Sequence, residues 1–496
     1  MSTALNSTVM SGTRLAGVIG TGPWPGPAYE SLTTAMSRAI ADGRIPVGVR
    51  LPSEREVASA TGLSRTTTTR AFSKLREQGF VLTRRGSGSV VRLPEVPGGR
   101  IDHLLTPADA DETEIDLTCT ASTAPPRLLG AYDRAVAKVH AYLPGTGYYP
   151  SGLPVLKELI AERYTARGVR TDPDQILITS GAFGAVAIAV RALIEGRGRV
   201  PLIEGRGRVL VESPTYPNAI ATLEGAGASL ISYPLELDDH GHHWDIETMG
   251  HIAAQAHARS AYLIPDFHNP TGALLPEEQR PELGAMLRRN RVVAIFDESL
   301  AELGLDGDPT PTPMAAFVPD SITVGSTSKI FWGGLRVGWM RIPSHRIDQV
   351  AATRLCLDLG APVLEQLVAV ELMHEHDMIV GEYRTRLRAA RDSLAQQVRT
   401  HLPSWQVDVP RGGMALWCRL PEDRSAALAI AARRHGLSLV SGPNFAPAGG
   451  LDRWIRLPYT VPEAQMDEVG PRLAAAWDEA LSFSGRIPPG RARIVA

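Results

Sequence analysis

Cysteine is scarce in this sequence, which holds 3 cysteines among 496 residues. Cys119, Cys356 and Cys418 are odd in number and far apart, so neither a disulfide framework nor a CxxC metal site is expected. No charged segment followed by an apolar run opens the chain, and no uncharged apolar run reaches the ~18 residues that a membrane helix needs. These absences predict a cytoplasmic protein with no bound metal and no membrane partner.

The chain also lacks an overall excess of either charge, since 51 Lys and Arg stand against 53 Asp and Glu. The two signs are nevertheless unevenly placed. Residues 29–92 hold 11 basic and 5 acidic residues, whereas residues 93–496 hold 39 basic and 48 acidic residues. A small basic module on a large acidic body suggests a polyanionic partner for the module. A solvated basic face would explain the charge alone equally well, so the motifs must decide.

The length predicts two to four structural units rather than one compact domain. Residues 1–28 are rich in Gly, Ser, Thr and Pro without apolar periodicity, and we predict a disordered leader there. Residues 93–114 mix Pro, Gly and acidic residues, as an interdomain linker does. We therefore expect residues 29–92 to form a separate domain.

From residue 115 onward, short apolar runs alternate with longer amphipathic segments. This alternation predicts an α/β domain with a mostly parallel sheet over residues 115–480. We expect a large part at about 140–350 and a smaller C-terminal α+β part at about 360–480, followed by a tail at 481–496.

A tandem repeat interrupts this domain, because LIEGRGRVP at 193–201 is followed by LIEGRGRVL at 202–210. The repeat is too short for a solenoid. We interpret it as a local duplication that lengthens a surface loop; an additional basic patch is the alternative.

Residues 29–92 are predicted to form helices, a turn, a further helix and a two-stranded hairpin. Ser53 is a typical N-cap with Glu56 three residues later, and Gly62 can end that helix. Ser64 then caps the next helix, whose first turns would enter the DNA major groove. The polar residues crowded into those turns are Arg65, Thr66, Thr67, Thr69 and Arg70.

The hairpin VLTRRGSGSVV contains glycines that permit a tight turn. Its Arg84 and Arg85 could reach DNA phosphates or the minor groove. A three-helix packing module without DNA is the alternative interpretation of the whole region.

This region resembles the winged helix-turn-helix of GntR-family regulators over more than 60 residues. The motifs that carry the resemblance are LPSERE, GLSRTTT, AFSKLREQGF and TRRGSGS. That resemblance implies that Arg55 and Arg65 contact double-stranded operator DNA, with Ser64, Thr66 and the wing residue Gly86 beside them. Members of the family often carry another basic residue at the position of Thr69.

A second group of motifs lies in the larger domain. Lys329 follows a strand in VGSTSKIFWGG, where a lysine beside hydroxyl residues suits a Schiff base and Ser326 and Arg336 can bind a phosphate. SGA at 180–182 places backbone amides at a helix N-terminus, which favours phosphate. ESPTYP offers Tyr216 for stacking, NPTG offers the Asn269 amide, and a strand ends at the carboxylate of Asp297.

These pieces, in this order, resemble fold-type I pyridoxal-phosphate enzymes of the aminotransferase class. The resemblance implies pyridoxal 5'-phosphate as cofactor, with Lys329 as the Schiff-base lysine and Asp297 as partner of the pyridine nitrogen. Asn269 would bond the ring oxygen and Tyr216 would stack on the ring. The phosphate would be held by Ser180, Gly181, Ala182, Ser326 and Arg336, with Tyr148 reaching the phosphate of the neighbouring subunit.

Two further features concern the ligand. The resemblance implies that Arg456, in WIRLPYT, grips a substrate carboxylate. Members of the class usually carry a tyrosine two or three residues after the aspartate, where this chain has Ser299 and Leu300. Complete transaminase chemistry is therefore in question. We interpret His268 and Trp332 as packing residues and assign no role to Tyr149.

A winged helix joined to an aminotransferase-like domain is the combination found in MocR-like regulators. It implies a homodimeric transcription regulator that senses an amino acid or amine through an external aldimine. Two alternatives remain: an active aminotransferase with a vestigial winged helix, and a sensor of pyridoxal phosphate that controls vitamin synthesis.

Overall fold

The computed structural model describes residues 10–482, except residues 42–44, 46–48, 85–87, 92–113, 122, 195–206 and 239–240. The interdomain linker, most of the tandem repeat and the C-terminal tail lie outside this set. The described chain divides into two units, one built mainly from the N-terminal residues and the other from most of the chain beyond residue 112. No helix in the described part is long and apolar enough to span a bilayer.

The N-terminal unit contains the predicted winged helix. Its helices are α1 (Gly12–Ile19), α2 (Ala28–Ala41), α3 (Glu54–Thr61) and α4 (Arg65–Glu77), and its wing is the antiparallel pair β1 (Val81–Arg84) and β2 (Gly88–Val91). Phe72 and Leu75 of α4 are buried, with Leu32 and Met36 of α2, in one apolar core.

The predicted helix caps are confirmed. Ser53 accepts a hydrogen bond from the Glu56 amide, while the Glu56 carboxylate accepts one from the Ser53 amide at 2.8 Å, which completes a capping box. Gly62 ends α3 at φ +69°, and Ser64 accepts from the Thr67 amide at 3.1 Å. The turn between α3 and α4 is therefore specified locally, by caps on both sides.

The prediction of a disordered leader is wrong for residues 10–28, because α1 lies within it. Ser11 caps α1, and Met10 and Leu15 are buried in the same core as α2 and α4. A Cβ atom on Gly12 would lie 2.9 Å from the Glu56 carbonyl oxygen, so α1 approaches α3 closely. The apolar residues of α1 are too few to show clear helical periodicity, and tertiary packing decides the outcome.

The second unit holds the remaining strands and most of the remaining helices. The strands are β3 (Ile115–Leu117), β4 (Ile176–Thr179), β5 (Arg208–Ser213), β6 (Ser229–Pro234), β7 (Glu236–Asp238), β8 (Gly241–His243), β9 (Ser260–Leu263), β10 (Val293–Asp297), β11 (Ser321–Ser326), β12 (Gly338–Arg341), β13 (Gln406–Asp408), β14 (Ala415–Arg419), β15 (Leu437–Ser441) and β16 (Trp454–Pro458). The helices after α4 are α5 (Leu128–Val139), α6 (Pro154–Ala166), α7 (Ala182–Ile194), α8 (Pro217–Gly225), α9 (Ile246–Gln255), α10 (Arg280–Asn290), α11 (Ile347–Arg354), α12 (Val363–His374), α13 (His376–His401), α14 (Ser425–Arg434) and α15 (Glu463–Leu481).

The predicted mostly parallel sheet is present as seven strands in the order β4-β12-β11-β10-β9-β5-β6. Neighbouring strands from β11 to β6 are parallel, and β12 is antiparallel to both of its neighbours. Its central strands β9 and β11 are buried on both faces, as a doubly covered parallel sheet requires. The apolar runs of the sequence at 176–179, 209–212, 261–265, 292–297 and 321–326 coincide, within two residues at either end, with β4, β5, β9, β10 and β11.

The smaller sheet has five strands in the order β13-β14-β16-β15-β3. Four of them come from the region predicted as the small part. The fifth, β3, comes from the start of the domain and pairs with β15 in parallel, which the sequence interpretation did not assign to the small part. Since β3 has three residues, its alternation was too short to indicate its partner.

Removal of the Leu15 side chain should destabilise the winged helix. Leu15 is fully buried, so Leu15→Ala should lower the free energy of unfolding of this unit by about 2 to 5 kcal/mol. The measurement is urea-dependent amide hydrogen exchange of α2 and α4 in the full-length protein. Thr13→Ala, at an exposed position of the same helix, is the matched control. Equal protection in the two variants would show that α1 does not support the core.

Candidate functional site

The carboxyl ends of the central strands line a cavity of about 160 Å³. Parallel strands place such ends at one edge of the sheet, which is where α/β proteins usually bind ligands. Seven of the predicted cofactor residues line this cavity: Ala182, Tyr216, Asn269, Asp297, Ser326, Lys329 and Arg336. The structure therefore brings together, around one cavity, residues that lie up to 154 positions apart in the sequence.

Lys329 lies three residues after the end of β11. Its Nζ donates a hydrogen bond to the carbonyl oxygen of Thr120 at 3.0 Å. Burial lowers the pKa of this amine, because an apolar surrounding disfavours the ammonium form. A buried amine with a lowered pKa is a better nucleophile toward a carbonyl carbon than a solvated lysine.

Asp297 is the last residue of β10 and is 8% exposed. Its Oδ2 accepts a hydrogen bond from the Tyr262 hydroxyl at 2.9 Å, and its Oδ1 accepts one from the Ser299 amide at 3.0 Å. These two donors fix the orientation of the carboxylate. Sequence reasoning missed Tyr262, because a tyrosine inside an apolar strand gives no sign of its hydrogen-bond partner.

Tyr216 and Asn269 lie on two further walls of the cavity. Tyr216 immediately precedes α8, and its hydroxyl accepts from the Asn218 amide at 2.8 Å. Burial, together with the nearby Asp297 carboxylate, raises the pKa of Tyr216 to about 12, so the ring stays neutral. Asn269 Oδ1 accepts from Arg456 Nη1 at 3.2 Å.

Small and basic residues meet at the start of α7. Gly181 has φ +87°, and a Cβ atom there would come within 3.0 Å of the Arg336 guanidinium. Arg336 Nη2 donates to the Ser180 carbonyl at 2.9 Å, and Ser326 Oγ accepts from the Ser328 amide at 3.0 Å. The region therefore combines a helix N-terminus, a guanidinium and two hydroxyl groups, which is a donor set suited to phosphate.

Arg456 is a fully buried cation. It donates to Asn269 and to the carbonyl oxygen of Thr118, and it lies over the Phe445 ring with its guanidinium carbon 5.0 Å from the centroid. Its Nε has no hydrogen-bond partner among the described residues. Burial lowers the pKa of Arg456 to about 10. A buried guanidinium with an unused donor is suited to an incoming carboxylate.

The positions of the missing tyrosine, Ser299 and Leu300, both line the cavity. Leu300 is 8% exposed and supplies no donor. Ser299 Oγ is buried and has no hydrogen-bond partner in the described part of the chain. The site thus has a hydroxyl near the expected tyrosine position, on a shorter side chain.

His268 also lines the cavity, but its ring belongs to a buried network. Its Nδ1 lies 3.0 Å from Thr271 Oγ1, and its Nε2 lies 3.4 Å from a carboxylate oxygen of Glu212. Glu212 in turn accepts from Trp244 Nε1 at 3.0 Å. These contacts agree with the interpretation of His268 as a packing residue. Tyr148 is 63% exposed and lies outside the cavity lining of its own chain.

The predicted DNA-binding residues lie around the start of α4. Arg55, Ser64, Arg65 and Thr66 are all exposed. The Ser64 hydroxyl, however, is used to cap α4. Thr67 is half-buried and bonds Ser64 through its hydroxyl at 2.7 Å.

Two other residues of α4 have contacts within the module. The Arg70 guanidinium carbon lies 3.9 Å above the centroid of the Tyr29 ring, and the Thr69 hydroxyl donates to Glu54. Arg84 is the last residue of β1, and Arg85 and Gly86 lie outside the described residues. The structure therefore leaves Arg55, Arg65 and Thr66 most available to DNA.

Comparison with protein families agrees with both parts of the chain. The model for aminotransferases of class I and II matches residues 135–473. The chain belongs to this family. The model for bacterial regulatory proteins of the gntR family matches residues 28–91. An aminotransferase-family chain that begins with a gntR module has the MocR-like organisation indicated by the sequence.

Individual relatives share the two-part organisation or the fold. The chain is 27% identical over 443 residues to the pyridoxine biosynthesis transcriptional regulator of Corynebacterium glutamicum, covering 86% of this chain and 90% of the relative. It is 26% identical over 460 residues to an HTH-type transcriptional regulator of Escherichia coli, covering 86% and 94%. The crystal structure of an alpha-aminoadipate aminotransferase from Thermus thermophilus superposes with a TM-score of 0.67 at 25% identity, covering 78% of this chain and 97% of that one.

The cofactor of this aminotransferase family is pyridoxal 5'-phosphate, and the residues present fit it. Lys329 is a buried amine, Asp297 is an oriented carboxylate for a protonated pyridine nitrogen, and Tyr216 offers a neutral ring for stacking. A side chain at Gly181 would fill the phosphate end, where Arg336 lies. Within the described residues, no group of three or more His, Cys, Asp or Glu side chains is arranged to hold a metal ion.

The missing tyrosine should leave a spectroscopic signature. A donor to the ring oxygen of the bound cofactor weakens that oxygen's hold on the proton shared with Lys329, which lowers the pKa of that proton. Leu300→Tyr should therefore lower the pH at which the visible absorbance of the bound cofactor titrates, by about one pKa unit. The wild-type absorbance should persist to alkaline pH.

Spectra recorded against pH measure this difference, with Leu300→Phe as the matched control and Lys329→Ala as the variant that should lack the titration. A wild-type midpoint near neutrality would contradict the expectation. It would also identify the Ser299 hydroxyl as the first substitute donor to test.

Proposed function

We propose that this protein is a DNA-binding transcription regulator whose pyridoxal-phosphate domain senses an amino acid or amine. The observation that carries the proposal is that one chain combines a recognition helix with an exposed polar start and a cavity that retains the cofactor-binding residues. Both relatives described above that match 86% of this chain are named transcriptional regulators. A regulator of this kind acts in the cytoplasm, where its DNA is.

The exposed residues of the first module divide into two roles. Arg65 and Thr66 start α4, so a helix placed in the major groove brings them to base edges. Arg55 lies on α3 and is exposed, which suits a phosphate contact that positions the module without reading sequence. Arg70 is held over Tyr29 and acts through the position of α4 against α2.

The second domain supplies a ligand-exchange site. When bound, the cofactor provides an aldehyde carbon that bonds reversibly to an amine, which makes it a selective receptor for amino compounds. Lys329 would hold and release that carbon, Asp297 would keep the ring nitrogen protonated, and Tyr216 and Asn269 would fix the ring orientation. Arg336 and Ser326 would hold the phosphate end. None of these roles requires that a transamination be completed.

Arg456 gives this receptor its preference for a carboxylate. Its side chain is fully buried, and Nε has no partner among the described residues. A carboxylate placed there gains a bidentate, charge-assisted contact that an amine without an acid group cannot make. We therefore favour an amino acid as the effector over a simple amine.

The exposed apolar residues of the second domain support a homodimer. Leu129, Val136 and Leu143 follow each other at seven-residue intervals and are 77%, 55% and 72% exposed. Leu129 and Val136 lie on α5, and Leu143 lies four residues after its end. Large exposed apolar side chains grouped in this way mark an interaction surface. A symmetric dimer would cover them, would allow Tyr148 to reach the neighbouring cofactor site, and would present two winged helices to two half-sites.

Two competing functions have specific support. The fold likeness to an alpha-aminoadipate aminotransferase favours an active enzyme, which would show steady turnover of an amino donor with a 2-oxo acid and no operator binding. The likeness to a pyridoxine biosynthesis regulator favours a cofactor sensor. That function would require operator affinity to follow cofactor occupancy when no amino compound is present.

Substitution of Arg65 tests the DNA-binding part. Arg65→Ala should reduce discrimination between the operator and altered sequences by about 1 to 3 kcal/mol, the value of a bidentate base contact. Arg55→Ala should instead weaken binding to all sequences to a similar degree. Electrophoretic mobility shifts at fixed salt, with operator and scrambled duplexes, measure both effects. An unchanged operator footprint for Arg65→Ala would mean that α4 is not the recognition helix.

Substitution of Arg456 tests the effector part. Arg456→Lys keeps a positive charge but loses the paired donors, so affinity for L-amino acids should fall about tenfold or more. Amines that lack the carboxylate should bind both proteins equally. The experiment titrates a panel of L-amino acids and their matched amines while following the cofactor spectrum. A retained cofactor spectrum and retained operator binding show that both domains of the variant are folded. An equal loss of affinity for acids and amines would contradict the carboxylate-binding role of Arg456.

A further inference from the structure

Three successive backbone carbonyl groups accept hydrogen bonds from side chains of this domain, and one of the donors, Lys329, lines the cofactor cavity. Arg456 Nη2 donates to Thr118, Thr460 Oγ1 donates to Cys119 at 3.2 Å, and Lys329 Nζ donates to Thr120 at 3.0 Å. The Thr118–Thr120 segment is therefore bonded both to the lysine that holds the cofactor and to the arginine that would hold a carboxylate.

This segment lies close in the sequence to the linker between the two domains. It follows β3 directly, and β3 is the first strand after residues 92–113, which join the winged helix to this domain in the sequence. β3 lies at the edge of the five-stranded sheet and is paired through three residues with β15. Short edge strands are among the least stable parts of a sheet, so additional hydrogen bonds change their order strongly.

The hydrogens on Lys329 depend on what its nitrogen is bonded to. If Lys329 held the cofactor carbon, its nitrogen would carry at most one hydrogen. When an incoming primary amine takes over the carbon, its nitrogen gives up two hydrogens and the Lys329 nitrogen gains two. The released lysine has at least two hydrogens to donate, and one of them can reach the Thr120 carbonyl at the observed distance.

We propose that the Thr118–Thr120 segment transmits effector binding to the start of the domain, next to the linker. The reason is that Lys329 donates a hydrogen bond to Thr120 only after an amine has displaced Lys329 from the cofactor. This inference rests on the proposed function and specifies its regulation. An effector carboxylate on Arg456 acts in the same direction, since it fixes the guanidinium that also bonds Thr118. Effector binding therefore tightens the segment and β3, at the point in the sequence where the linker enters this domain.

The proposal can be tested without knowing the effector. Pyridoxamine 5'-phosphate occupies the cofactor site but leaves the Lys329 amine unbonded to it, whereas pyridoxal 5'-phosphate takes that amine. The full-length protein loaded with each cofactor form is compared by amide hydrogen exchange of peptides that cover residues 115–121. Exchange should be about fivefold slower with pyridoxamine phosphate, the effect expected of one added hydrogen bond.

Two variants separate this mechanism from a general change in stability. Lys329→Ala should abolish the difference between the two cofactor forms. Thr460→Val, which removes the donor to Cys119 alone, should speed exchange in both forms and preserve the difference. Equal exchange in the two forms of the wild type, or a difference that persists in Lys329→Ala, would overturn the proposal.

Operator affinity, measured on the same samples, distinguishes failure of this inference from failure of the proposed function. An operator affinity that differs between the cofactor forms while exchange at 115–121 is unchanged would overturn the segment's role and leave the regulator intact. An absence of specific operator binding in either form would overturn both.

Discussion

The site depends on the register between β10 and β11. Asp297 pairs with Val324 in the parallel ladder, which places the carboxylate at the end of β10 beside the last residues of β11. Lys329 follows β11 by three residues, so its amine is positioned by that same register. Because side chains alternate across a strand, a shift of one residue in β10 would turn Asp297 to the opposite face. The apolar residues buried on both faces of these strands are what make such a shift costly.

Electrostatics follow from this geometry, because the edge of the sheet that collects the functional groups is also buried. Arg456 is a cation and Lys329 an amine, both held away from water, and burial lowers the pKa of each. Their hydrogen-bond partners include backbone carbonyl groups, which carry only partial charge. A full negative charge is therefore the strongest partner that the site can still accept, and this favours anionic ligands.

Sequence reasoning succeeded where the chemistry resides in side chains with a local signature. Ser53 and Ser64 mark the starts of α3 and α4, and Lys329 and Asp297 lie at strand ends with typical neighbours. It did not find Tyr262, whose role appears only when β9 lies beside β10, nor the carbonyl groups of the Thr118–Thr120 segment. Every residue has a backbone carbonyl group, so the residue type does not indicate which carbonyl will accept a hydrogen bond from a side chain.

The helix α1 lies outside the gntR match, which begins at residue 28. Leu15 nevertheless contributes to the same core as α2, α3 and α4. The segment shared among regulators and the segment that folds as a unit therefore have different limits. Consider a chimaera in which a module taken from this chain at residue 28 replaces that of another regulator. The transferred module would lack α1, and the surface of α3 that α1 covers would be exposed to solvent.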